Sequence, residues 1–301
     1  MANTSGAIMG TVLITGGTDG LGRAAAILLG QHGYRVFATG RNREHREVLD
    51  KIAIERSLSL ETLELDVCDD GSVNAAVSEI EKRAGPVDIL VNSAGIAIAS
   101  VMEEITLDDL RKQYETNIFG LLRTTQRVLP KMRKRRRGRI VNMSSISGRI
   151  AMPLMGAYSS SKHAVEAISD AMRLELYPFN IAVILIEPGY IETSMNRTAA
   201  ELSSAYAKGA EHSPYRGVYQ AFLSNWQKTR KKSKYVPEDC ARVILQAIEE
   251  TPPRARYLVT SSAKTAAFMR RIMSDRAFDR SMIKRLGLDA VRDAIEKEAG
   301  Q

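Results

Sequence analysis

The stretch "TVLITGGTDGLGRAAAILLGQHGYRVFATG" spans residues 11–40, and its reading decides the fold. "TVLIT" (11–15) is a short unbroken apolar run, as expected of a strand buried on both faces. "LGRAAAILLGQHG" (21–33) reads as a helix that stops at a glycine, and "RVFATG" (35–40) as the next strand. Between the first strand and the helix stand Gly16, Gly20 and Gly22, spaced G-x-x-x-G-x-G. Glycines there let the backbone turn tightly and approach a pyrophosphate, whose charge would meet the N–H groups opening the helix. A purely structural turn would use the same residues.

The alternation continues along the chain. Strands are expected at 60–67, 87–95, 138–145, 181–189 and 255–260, and helices at 42–56, 72–85, 106–135 (one long helix or a pair), 157–177 and 237–250. Strands without polar alternation, each followed by a helix, predict an α/β fold: a Rossmann-type, doubly wound, seven-stranded parallel sheet flanked by helices. Two segments stand outside the pattern. Residues 190–236 read as a polar, irregular insertion, and 261–301 as a C-terminal helical extension with Ala267, Phe268, Ile272, Met273, Phe278, Met282 and Ile283 as its apolar positions. No repeat or low-complexity linker divides the chain. We therefore expect one dinucleotide-binding and catalytic domain over 1–260, with 190–236 as a loop over the substrate and 261–301 packed on the same domain.

Composition narrows the class. The chain has 301 residues, 44% hydrophobic and 26% charged, which is ordinary for a globular protein. Cys68 and Cys240 form no disulfide framework and the four histidines are scattered, so a reducing compartment and no metal site are expected. "MANTSGAIMG" does not read as a signal peptide, and apolar runs of about six residues fall far short of the about 20 that a spanning helix needs. A cytoplasmic protein is the expectation. The net charge of +8 comes largely from two runs, "KMRKRRRGR" (131–139) and "KTRKKSK" (228–234). Neither carries interleaved aromatics, so a solvated face, or weak contact with an anionic partner or membrane surface, is favoured over nucleic-acid binding.

Chemistry gathers further along. In "GAYSSSKHAVEA" (156–167), Tyr158 precedes Lys162 by one helical turn. That spacing alone is commonplace. However, "TGGTDGLG", "NSAG" (92–95), Asn117, "NMSS" (142–145), "YSSSK" (158–162) and "EPGYIET" (187–193) stand together in one order. In that order and spacing the chain, over about residues 10–260, resembles the short-chain dehydrogenase/reductase family. "VFATGR", the "SPYRGVY" insertion and the extended tail make it look like the branch with 17β-hydroxysteroid and retinol dehydrogenases.

The resemblance implies an oxidoreductase that interconverts alcohols with ketones or aldehydes. Tyr158 would be the general acid/base, its pKa lowered by the charge of Lys162. Ser145, thirteen residues before Tyr158, would hydrogen-bond the substrate oxygen, with Ser144 the competing assignment. Asn117 would hold a water near the lysine. For the cofactor, the family pattern assigns Gly16, Thr18, Asp19, Gly20, Leu21 and Gly22 to the phosphates and Asp66 and Val67 to the adenine. Asn92, Ala94 and Gly95 match the turn near the adenosine ribose, where Ser93 departs from the pattern. Pro188, Gly189, Ile191 and Thr193 match the segment holding the nicotinamide, with Tyr158 and Lys162 also beside the cofactor. NAD enzymes usually place an acid at the end of the second strand, for the ribose 2′-hydroxyl. Here Gly40 and Arg41 stand there, which suits the 2′-phosphate of NADP(H), although Asp19 argues the other way. The family also implies a homodimer, or a tetramer, paired through helices 106–135 and 157–177. The aromatics of 190–236 suit a hydrophobic substrate such as a steroid, retinoid or long-chain carbonyl.

Overall fold

The computed structural model describes residues 9–299; the opening of the sequence and the end of the tail lie outside them. In chain order, strand β1 (Thr11–Thr15) leads to helix α1 (Gly20–Gln31), β2 (Arg35–Thr39) to α2 (Arg43–Glu55), and β3 (Leu60–Leu63) to α3 (Asp70–Ala84). After β4 (Ile89–Asn92), helices α4 (Leu107–Tyr114) and α5 (Gly120–Arg135) are joined by a π turn over Glu115–Phe119. Then come β5 (Gly138–Met143), α6 (Gly156–Leu176), β6 (Ile181–Glu187), α7 (Ser194–Leu202), α8 (Ser204–Gly209), α9 (Arg216–Lys232), α10 (Pro237–Glu249) and β7 (Arg256–Leu258). The tail forms α11 (Ser261–Ile272), α12 (Asp275–Leu286) and α13 (Leu288–Ala299). The seven strands are all parallel, in the order β3-β2-β1-β4-β5-β6-β7.

The unbroken apolar strands are buried on both faces. Val12 and Ile14 of β1 face a core built with Leu29, Leu49 and Ile244 of α1, α2 and α10, while Leu13 faces Ile80, Val128 and Met172 of α3, α5 and α6. Both edge strands are shorter than the sequence suggests. β2 ends at Thr39, opposite Leu63, so residues 64–67 have no ladder to join. β7 pairs only with the last residues of β6, Leu185–Glu187.

The insertion 190–236 is not irregular: it contains α7, α8 and α9. Val218, Tyr219 and Phe222 of α9 give a narrow apolar stripe at helical spacing, and only Tyr219 is fully buried. A stripe that narrow leaves the rest of the helix polar, which is why the segment read as loop. In the tail, α11 contacts β7, whereas α12 and α13 pack on α9. Ala267 is buried there, but Phe268 and Ile272 are exposed. Among the described residues no helix is long and apolar enough to cross a membrane.

Candidate active site

Strand order reverses between β1 and β4, whose carboxyl ends open a crevice at the switch point. Gly16 sits there with φ +61°, and a Cβ on it would stand 2.8 Å from Ala94 Cα. Only glycine permits that approach. A Cβ on Gly22 would lie 2.2 Å from the Gly16 carbonyl, so α1 begins pressed against the same turn. Across the crevice Thr193 borders Gly20, at 3.6 Å from the position a Cβ would take, and Ile191 is buried beneath. A narrow glycine-floored cleft ending at a helix N-terminus fits a dinucleotide pyrophosphate. Leu21 packs against the core below it.

The adenosine end is more crowded than the sequence suggests. Asp19 caps α1, accepting from Gly20 N–H at 2.7 Å, and stands 3.6 Å from His45 Nδ1. Its charge is therefore partly engaged. Gly40 does not leave open space: a Cβ there would meet Thr18 Oγ1 at 2.2 Å. Arg41 is mostly exposed, with Nη1 3.5 Å from Asp66 Oδ2, while Asp66 Oδ1 accepts from Cys68 N–H at 2.9 Å. Val67 is buried, and its carbonyl accepts from Arg123 at 2.6 Å. Arg46, which the motifs did not point to, donates to the Gly40 and Arg41 carbonyls at 2.8 and 3.0 Å and fixes the turn. The Asn92 side chain does not face the crevice. It is buried between β4 and β5, donating to Thr125 Oγ1 at 3.0 Å and Asn142 Oδ1 at 2.9 Å. Any part it plays toward a cofactor is through its backbone.

Further along the cleft the four expected catalytic residues converge. The strand expected at 138–145 ends at Met143, and Ser145, two residues beyond, caps a 3-10 turn over Ile146–Gly148 beside Tyr158, its Oγ accepting from Ser147 N–H at 3.1 Å. Ser144 is buried toward Gly148, its Oγ 2.8 Å from where a Gly148 Cβ would stand. Lys162 Nζ donates to the Met143 carbonyl at 2.7 Å and lies 5.7 Å from the Tyr158 ring centroid. Asn117, in the π turn, donates through Nδ2 to the Ile96 carbonyl and Ser161 Oγ, both at 3.0 Å, and accepts from Ile96 N–H at 2.9 Å. Gly95 lies close against both residues: a Cβ there would meet Asn117 Oδ1 at 3.3 Å and Lys162 Nζ at 3.9 Å. Pro188 O accepts from Ile146 N–H at 2.9 Å, and a Cβ on Gly189 would strike Thr260 Oγ1 at 2.3 Å, so the segment after β6 is seated tightly.

Electrostatics correct one expectation. Burial pushes the Tyr158 phenol up, and the Ser145 hydroxyl only partly offsets it. Burial also pulls Lys162 down to about 8, with Glu166 opposing. The lysine is turned toward Met143, so its charge does not dominate the phenol. Glu166 stands one turn beyond Lys162, and the spacing in "SKHAVEA" was a signal that the sequence reading passed over. The Arg256 guanidinium stands 3.0 Å from Glu166 and 3.3 Å from buried Glu187, so it bridges the two carboxylates.

Residues 190–236 are latched to the domain by phenols. Tyr206 donates to Asp109 at 2.6 Å, Tyr219 to Glu104 at 2.8 Å, and Tyr215 to Glu103. Their rings, with Phe222, pack on Val101 and Leu154. Trp226 stacks edge-on with Tyr190 at 6.2 Å. Most of the aromatic set thus packs this segment, whereas Met195 Cε reaches to 3.8 Å of where a Gly95 Cβ would be.

Residues 10–203 match the short chain dehydrogenase family. An uncharacterized oxidoreductase of Bacillus subtilis, YusZ, is 35% identical over 277 residues, covering 91% of this chain and 97% of its own. A 3-ketodihydrosphingosine reductase of Bacteroides thetaiotaomicron is 39% identical over 194 residues, 64% of this chain and 68% of its own. The crystal structure of a variant actinorhodin polyketide ketoreductase with NADPH superposes with a TM-score of 0.72 at 30% identity, covering 84% of this chain and 97% of that one. The chain belongs to the short-chain dehydrogenases, NAD(P)-dependent oxidoreductases acting on CH–OH groups.

Proposed function

We propose that the protein is an NADP(H)-dependent oxidoreductase interconverting a primary or secondary alcohol and its aldehyde or ketone, with Tyr158 as general acid/base. The observation that carries this reading is the meeting of Ser145, Tyr158 and Lys162 at one end of a cleft whose other end is the glycine turn. When bound, the dinucleotide supplies or accepts the hydride. The chain's own residues manage the proton and the oxygen. Ser145 Oγ already accepts from Ser147, which leaves its O–H to donate to the substrate oxygen. Tyr158 gives its proton to the developing alkoxide in reduction and takes one back in oxidation. The raised phenol is the protonated form that reduction starts from. Lys162 supplies a positive charge beside it, and Asn117, whose side chain is committed to Ile96 and Ser161, holds a water only through its backbone carbonyl. Arg41 and the absence of an acid at position 40 favour NADP(H) over NAD, as does the NADPH of the ketoreductase relative.

A hydrophobic substrate such as a steroid, retinoid or long-chain carbonyl suits Met195 at the cleft and the 3-ketodihydrosphingosine for which the Bacteroides reductase is named. Residues 1–260 then form the catalytic unit, with 190–236 as its lid and 261–301 packed on it. Unpaired Cys68 and Cys240 suit a reducing, cytoplasmic setting. Phe119, Leu174 and Tyr177 are exposed around α4–α5 and α6, where a second copy would cover them in a homodimer. A monomeric mass at micromolar concentration overturns the dimer. The function itself is tested by Tyr158→Phe, which should abolish ketone reduction while NADPH affinity stays nearly intact. Activity above a few per cent of wild type refutes the role given to Tyr158.

A further inference from the structure

The two basic runs are alike in sequence and unlike in structure. Most of the first is used internally. Lys131 pairs with Glu81, Arg135 and Arg137 with Asp88, and Arg139 donates to the Ala247 and Glu250 carbonyls. The second run ends α9, where Arg230 pairs with Glu192 but Lys228, Lys231, Lys232 and Lys234 have no carboxylate within ion-pair distance among the described residues. The tail continues this pattern. Residues 261–286 hold seven cations and two carboxylates. Of those seven, Arg270 pairs with Asp275 at 2.6 Å, and Lys264, Arg271, Arg276, Arg280, Lys284 and Arg285 pair with none among the described residues.

Apolar side chains stand among these cations. α11 buries Ala263 and Ala267, and its opposite face exposes Phe268 (60%), Met269 (36%) and Ile272 (59%), with Lys264 one turn before Phe268. The run and the helix are neighbours in space: Ser261 N–H, opening α11, donates to Tyr235 Oη at 2.9 Å. Both border the cleft. Ser233 Oγ donates to the Tyr190 carbonyl at 3.2 Å, and a Cβ on Gly189 would stand 3.1 Å from Ser262 Oγ.

We propose that the end of α9 together with α11 and α12 is a surface that docks on a bilayer containing anionic lipids, with the cleft mouth at the edge of the contact. A second copy of the chain would cover Phe268, Met269 and Ile272 but would bring like charges face to face. A nucleic acid would match the cations and give the apolar side chains nothing to enter. A lipid surface offers both: headgroup charge for the lysines and arginines, and acyl chains for the residues between them.

The test is sedimentation of the full chain with phosphatidylcholine vesicles, with and without phosphatidylglycerol. Binding is expected to the anionic vesicles alone, and to weaken as salt rises. Each cation neutralised at the surface should lower partitioning by about five-fold, so Lys231→Gln/Lys232→Gln should lower it about 25-fold. Lys134→Gln, a change of charge in the first run, should leave it unchanged. Phe268→Ser/Ile272→Ser should lower binding while activity on a soluble ketone persists, which shows that the variant is folded. The proposal is overturned if the protein stays in the supernatant at low salt, if both vesicles bind equally, or if Lys134→Gln weakens binding as much as the α9 changes. It is also overturned if duplex DNA binds and vesicles do not, or if Phe268→Ser/Ile272→Ser halves the mass in solution without altering sedimentation.

Discussion

Replacing Arg41 by alanine tests the cofactor reading where the structure makes it sharpest. Arg41 is 69% exposed and its Nη1 stands 3.5 Å from Asp66 Oδ2, so in the free protein it takes part in a weak surface pair. A bond from a guanidinium to a phosphate is worth about 1.5–3 kcal/mol. Exposure and release of Asp66 place Arg41 at the low end, near 1.5 kcal/mol, or about ten-fold in affinity. Arg41→Ala should therefore weaken NADPH about ten-fold and NADH by less than about two-fold. Inverting the preference requires a carboxylate at position 40, and the structure adds a condition. A Cβ on Gly40 would meet Thr18 Oγ1 at 2.2 Å and Thr18 Cβ at 3.3 Å. Gly40→Asp/Arg41→Ala alone should bind both cofactors poorly, whereas adding Thr18→Ala makes room and should leave NADH the tighter ligand. Fluorescence titration of both cofactors against the four proteins measures this. Equal loss of NADPH and NADH in Arg41→Ala, or tighter NADH binding by the wild type, refutes the reasoning.

Two further outcomes follow from buried groups. Lys162 is pulled down to about 8 by burial, so its ammonium is present below that pH and lost above it; kcat/KM, which reports the free enzyme, should fall as pH rises through about 8. A profile flat to pH 10 would show that the charge is not needed or not perturbed. Asn92→Ala orphans the buried Asn142 Oδ1, which should cost about 2–3 kcal/mol in urea denaturation while NADPH affinity moves less than about two-fold; a large loss of affinity at unchanged stability would make Asn92 a cofactor ligand after all.

The parallel sheet, the helix placement and the glycine turn were legible because they rest on local signals. An apolar run without alternation must be buried on both faces, and Gly16 and Gly22 can only serve a close approach. What escaped depends on partners distant in sequence. The helices of 190–236 carry so few buried residues that their stripe was faint, yet Tyr206, Tyr215 and Tyr219 find Asp109, Glu103 and Glu104 about a hundred residues earlier. No local pattern announces that pairing. Asn92 and Asp19 show the same limit within the glycine-turn and N-S-A-G motifs: the motif gives their place, and the direction of each side chain is set by Thr125, Asn142 and His45.

The Tyr158–Lys162 pair takes this point into chemistry. Spacing of one helical turn guarantees that the two side chains share a face, and from that alone a positive charge next to a phenol should lower its pKa. Sharing a face does not fix where the ammonium points. Here the Met143 carbonyl, at the end of β5, draws Nζ to 2.7 Å, and the ring centroid is left at 5.7 Å. Burial then acts on both groups in the direction of neutrality, raising the phenol and lowering the amine. A phenol kept neutral by burial, beside a lysine whose ammonium persists only below about pH 8, suits the proton-donating role proposed for Tyr158 in reduction. Oxidation needs the phenolate, and that requires more positive charge than Lys162 alone provides in its present position. In the role proposed for Tyr158, the balance between the two directions would therefore lie with what enters the cleft beside Gly95 and Lys162: an oxidised dinucleotide, which carries positive charge on its ring, would favour the base form of Tyr158, and a reduced one would leave it the acid.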